Sequence, residues 1–119
     1  MTRAAENIFA KLPSDIPEEL FQNLVASGPV RIERIVSLGH TSPQDFWYDQ
    51  ELDEWVLVLQ GAARLEFESG EPVTMQPGSY MLIPAHARHR VAWTDPTQAT
   101  IWLAVHFENR SSEHATGAG

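Results

Sequence analysis

The apolar segments of this chain are short, and nearly every one ends at a glycine or a proline. Eight prolines and seven glycines fall mostly between such segments. That punctuation belongs to an all-β protein, because proline cannot donate to a sheet ladder and glycine supplies the positive φ that tight turns need. Strands are expected over about 30–37, 45–50, 54–60, 62–68, 72–75, 80–83, 88–93 and 99–107, with no internal repeat. One short helix is expected over 17–26, PEELFQNLVA. Ser14 or Asp15 can cap it, acidic residues occupy its first turn, Gly28 follows it, and Leu20, Phe21, Leu24 and Val25 share a face at helical spacing. The chain thus divides into an N-terminal arm with a short helix (1–29), a β-barrel (30–108) and a disordered tail (109–119). The tail is read from ENRSSEHATGAG, which holds no apolar residue larger than alanine and leaves His114 a solvated bystander.

Composition excludes several functions. A chain of 119 residues has the length of one domain, which at this size buries about two thirds of its unfolded surface. With no cysteine, disulfides, thiolate metal cages and thiol nucleophiles are ruled out. A net charge of -8 repels a phosphate backbone, and no Lys/Arg cluster overrides it, so nucleic acid is not expected as a partner. No apolar run reaches the roughly 18 residues of a membrane helix, and MTRAAENIFAKLP lacks the apolar core of a signal peptide. A cytoplasmic protein without a membrane partner is expected.

Alternation assigns faces to the strands. In ARLEFES, Leu65 and Phe67 oppose Arg64, Glu66 and Glu68, so one face is wet. By contrast WVLVL (55–59), MLI (81–83) and IWLAV (101–105) are apolar on both faces and need a cover. The N-terminal arm supplies part of it and a second subunit the rest, so a homodimer is expected.

Seven or eight short strands with Gly-Pro corners fit a jelly roll or small barrel. Two motifs sharpen this. Glu54 is followed by six residues and Gly61, and GSYMLIPAHARH sets Gly78, Pro84 and His89 at fixed spacings. The pair resembles the two motifs of the cupin superfamily, of the small single-domain kind. The first motif there is a His-x-His pair, then Glu, then Gly; the second runs Gly, Pro-x-Gly, His. The resemblance implies a double-stranded β-helix whose cavity wall includes Gln50, Glu54 and His89. This chain departs from the family at the His-x-His pair, where Tyr48 and Gln50 stand, at His86 where a glycine is usual, and at Trp93 where an asparagine is usual.

Tyr48, Gln50, Glu54, Val56 and Val58 share one parity, so with the valines in the core all five face the barrel interior. The same logic groups His89, Val91 and Trp93. Glu54, His89 and the amide oxygen of Gln50 form a donor set for a divalent metal such as Zn, Fe, Mn or Ni. The other reading is a hydrogen-bonded network of Glu54, His89 and Tyr48, which also serves acid/base catalysis. His86 belongs at the rim, His40 at the mouth, and His106 on the outer face with Trp102 and Ala104. Arg34, on the parity of Ile32 and Val36, would clamp an anionic ligand if those two face inward. The expected function is a small cupin that binds a small organic molecule, with a divalent metal at Glu54, His89 and Gln50 as one option. The alternative is an enzyme of the oxygenase or isomerase kind, with or without metal, acting on a small anionic or sugar-like substrate. In that reading Tyr48, Glu54 and His89 are catalytic, and Arg34, Gln50, Trp93 and His86 bind substrate.

Overall fold

The computed structural model describes residues 4–108; the expected tail and His114 lie outside these. Eight strands follow one another: β1 (Leu20–Ser27), β2 (Val30–Ser37), β3 (Asp53–Gln60), β4 (Ala63–Phe67), β5 (Val73–Met75), β6 (Tyr80–Ile83), β7 (His89–Thr94) and β8 (Thr100–Phe107). They form a five-stranded sheet in the order β1-β2-β8-β3-β6 and a three-stranded sheet in the order β5-β4-β7. The inner faces enclose one core of Ile35, Val56, Val58, Ala63, Leu65, Met75, Ile83, Trp102 and Ala104. The result is an all-β double-stranded β-helix.

The described residues contain no helix, and 17–26 is corrected to the strand β1. Ser27 pairs with Val30, which leaves Gly28-Pro29 as a two-residue turn. Gly28 has φ +57°, and proline follows with its fixed negative φ, the sequence a type II′ hairpin needs. That turn sends the segment back along β2, and the ladder outweighs the helical spacing. Leu24 is the extra residue where the register slips between Asn23 and Val25. Phe21, Leu24 and Val25 are half-exposed instead of forming a buried helical face. The first sheet therefore begins ahead of residue 30. The strand expected over 45–50 shrinks to a single bridge, Tyr48 to His89, at the free edge of β7.

Three local features position the site. At the β3–β4 corner Gly61 has φ +85°, and a Cβ there would lie 2.3 Å from Thr100 Oγ1, so only glycine lets the corner approach the start of β8. On β7 the register against β4 slips: Arg64 faces Trp93 but Leu65 faces Val91, so Ala92 is an inserted residue. Third, the N-terminal arm is tied down from β2, where Arg34 donates to the carbonyls of Ile8 and Ala10 at 2.9 and 2.7 Å and to Gln22 at 2.6 Å.

Candidate functional site

Between the sheets lies a cavity of about 250 Å³. On the large sheet, antiparallel pairing brings inner-face residues side by side: Glu54 beside His106 and Ile83, Val56 beside Ala104, and Trp102 beside Ile35 and Val58. Arg31, Glu33 and Ile35 come inward along β2. From the small sheet come Leu65, His89 and Val91, and from the bridged segment Tyr48 and Gln50. Glu19 and Phe21 at the start of β1 complete the wall.

Glu54 sits between two histidines. Its Oε1 lies 3.8 Å from His89 Nε2 and its Oε2 3.8 Å from His106 Nε2. Neither distance is a hydrogen bond, so the carboxyl faces the cavity. Burial, then the neighbouring Glu33, raises its pKa from 4.5 to about 7. His89 Nδ1 lies 2.8 Å from the Ala87 carbonyl, which accepts only; the proton is therefore on Nδ1 and Nε2 carries a lone pair toward Glu54. Burial lowers the His89 pKa, keeping the ring neutral. Tyr48 stacks on this ring with centroids 5.5 Å apart, and burial followed by Glu19 and Glu54 pushes its phenol pKa up. His106 donates from Nε2 to Glu33 at 2.9 Å, and burial followed by Arg31 lowers its pKa. Deeper in, Trp102 Nε1 donates to Ser37 Oγ at 3.2 Å, and Ser37 donates to Glu19. Burial raises the Glu19 pKa. Gln50 Oε1 is buried and has no hydrogen-bond partner.

Tyr48, Gln50, Glu54 and His89 thus converge on the cavity. The other expected site residues stand elsewhere. Trp93 is 39% exposed and outside the cavity, because the inserted Ala92 reverses the alternation and puts Thr94 inside. Arg34 faces the opposite side of β2 from the cavity, since Ile35 is the inward residue, and its guanidinium binds the arm. His86 is exposed with φ +64°, 2.7 Å from Asp49 Oδ1; only its backbone N–H reaches the wall, at the Gln50 carbonyl. His40 accepts from the Leu38 N–H within its own loop. His106 corrects the expected outer placement: it is buried and lines the cavity. The signal for it was the pairing partner, because a residue beside Glu54 on the next strand shares its face.

Among the described residues no group of three or more His, Asp or Glu side chains is arranged to hold a metal ion. The set Glu54, His89 and Gln50 offers one carboxylate, one imidazole and one amide. A catalytic metal ordinarily has three strong protein donors, so these residues fit a resident metal poorly. What they do provide is an acid and a neutral base facing each other across 3.8 Å.

Comparison with known proteins agrees with this architecture. A solved structure from Ralstonia eutropha JMP134, provisionally named a mannose-6-phosphate isomerase, is 47% identical with a TM-score of 0.85, covering 90% of this chain and 100% of that one. A cupin superfamily protein from Desulfitobacterium hafniense DCB-2 shares the fold at 19% identity, TM-score 0.68, covering 82% of this chain and 84% of that one. An RmlC-like cupin with a double-stranded β-helix from Methanocaldococcus jannaschii does so at 17% identity, TM-score 0.64, covering 87% and 93%. The RCS-specific HTH-type transcriptional activator RclR of Escherichia coli (strain K12) is 42% identical over 41 residues, 34% of this chain, and the match spans 14% of that protein's length. The cupin domain profile matches residues 35–106, most of the barrel and all of the cavity's central strands, and the chain belongs to the cupin domain family.

Proposed function

We propose that this cupin binds a small polar organic molecule in the cavity and shifts a proton between adjacent carbons of it, as an isomerase does. The observation that carries the reading is the pairing of a lone-pair-bearing His89 Nε2 with a Glu54 carboxyl at 3.8 Å, the latter titrating at about 7. A catalytic acid is most effective when its pKa lies near the working pH. With a hydroxycarbonyl compound lying against both groups, His89 Nε2 takes the proton from the carbon beside the carbonyl. The C–H electron pair becomes the C=C bond, and the carbonyl π pair moves onto oxygen and takes the Glu54 proton, giving an enediol. In the second half His89 returns its proton to the former carbonyl carbon, while the neighbouring hydroxyl gives its proton to Glu54 and becomes the new carbonyl. No oxidant or other co-reactant is needed. The 47% identical relative with a provisional isomerase name supports the reaction kind.

The test is deuterium exchange from D2O into hydroxycarbonyl compounds, followed by proton NMR. Wild type is expected to exchange the proton beside the carbonyl. Glu54→Gln and His89→Gln should each lower the rate at least 100-fold with ligand binding retained. The rate should fall as pH rises through about 7, where Glu54 loses its proton, and also at acid pH, where His89 gains one. Exchange unaffected by either variant defeats the reading. A second reading, sensing without turnover, is favoured by the similarity to a transcriptional activator; ligand binding without exchange would support it.

A further inference from the structure

The cavity interior presents several acceptors. Gln50 Oε1 is buried without a partner, His89 Nε2 carries its lone pair inward, and the carboxyls of Glu19, Glu33 and Glu54 line the same space. A buried acceptor left unmet is costly, so what fills this space must bring hydroxyl or amine hydrogens. An anionic group is disfavoured among these carboxyls, which already repel one another, as Glu33 does Glu54. Charge changes sign at one place. Among the described residues that line the cavity, Arg31 is the single Lys or Arg. Its side chain is 44% exposed, while that of Glu33, two residues further along the same face of β2, is 13% exposed. Arg31 therefore stands at the mouth, with Nε 3.6 Å from Glu33 Oε2. Its charge reaches inward, acting on both Glu54 and His106.

We infer that the ligand is a polyhydroxylated molecule carrying one anionic group, a sugar phosphate in class, which binds with its hydroxyls on Gln50, Glu33 and Glu54 and its anionic group outward on Arg31. The inference rests on the proton-transfer reading and fixes the orientation that reading leaves open. A planar guanidinium binds phosphate or carboxylate through paired N–H donors, and at the mouth it does so without dehydrating the anion fully. The cationic edge also disfavours an amine, the other donor-rich class. The volume of about 250 Å³ is below the roughly 300–1,000 Å³ of sites for drug-sized ligands, and suits a single small ring or open chain with the charged group outside.

The experiment is calorimetric titration of the full chain with D-mannose 6-phosphate, other pentose and hexose phosphates, the matching free sugars, D-glucosamine and inorganic phosphate. At least one phosphorylated sugar is expected to bind ten-fold or more tightly than its free form. Arg31→Gln should erase that margin, and Arg31→Lys should restore part of it. Gln50→Leu should weaken both forms several-fold. Near-UV circular dichroism of each variant guards against misfolding, and the half-exposed position of Arg31 makes a folded Arg31→Gln the expected result. Equal binding of the two forms, a margin that survives Arg31→Gln, preference for glucosamine, or no binding across the panel overturns the inference. Glu54-dependent exchange with no margin between phosphorylated and free sugar defeats the ligand class alone. Arg31-dependent binding without exchange defeats the proton-transfer reading alone.

Discussion

Glu54 ties the stability of this protein to pH. The folded chain holds its proton up to about 7, the unfolded chain only to 4.5, so the stability contributed by that proton is complete below about pH 4.5 and lost as pH rises through about 7. His89 has the opposite sign: its lowered pKa contributes stability that is lost as pH falls below the ordinary imidazole range. The two slopes partly cancel in the wild type, and Glu54→Gln separates them. Near pH 5 the variant should be about as stable as the wild type, and near pH 8 it should be more stable by up to about 3 kcal/mol, measured by urea unfolding at each pH. Gln50 allows a second test at this scale. Gln50→His would add an imidazole to the Glu54 and His89 donors, and zinc titration should show at least ten-fold tighter binding than in the wild type.

At the scale of elements, the corner between β3 and β4 depends on one residue. Gly61→Ala places a methyl within 2.6 Å of Thr100 Cα, whereas Gly28→Ala at φ +57° meets nothing within 4 Å. Denaturant unfolding should find a cost of about 1 kcal/mol for the second and well above about 2 kcal/mol for the first. The same elements show what sequence could supply. The two motif spacings located Glu54, Gly61 and His89; parity also grouped Tyr48 and Gln50 with Glu54, and all three line the cavity, although the chain bends at 51–52 and Tyr48 bridges to β7 of the other sheet. Parity failed on β7, where the inserted Ala92 turns Trp93 outward, since nothing in HRVAWT marks a bulge. It failed on β8 for another reason. IWLAVHF is apolar on both faces, so its orientation is set by pairing with β2 and β3, and that pairing is a property of the fold. The helix expected at 17–26 had a consistent local signal; the hairpin at Gly28-Pro29 overrode it.

For the whole molecule, the outer face of the large sheet is its least satisfied surface. Leu82, Trp55, Val105, Ile32 and Val25 run in one row from β6 to β1, and Tyr80, Leu82 and Val25 are 66%, 41% and 49% exposed. We propose that a second copy covers this face. Light scattering is expected to give twice the 13.3 kDa chain mass, and Leu82→Glu, which places a charge on the row without entering the core, should give the monomer; a wild-type monomer at micromolar concentration would end the proposal. The order of the large sheet, β1-β2-β8-β3-β6, has a bearing on how the protein is made. Its middle strand is the last of the eight to leave the ribosome. Until β8 emerges, β2 and β3 each hold an unmatched row of amides and carbonyls, and the inner wall lacks Trp102 and His106. Nascent chains stalled before residue 100 should therefore stay protease-sensitive and prone to associate, and the barrel should close in one late step once Phe107 has cleared the exit tunnel.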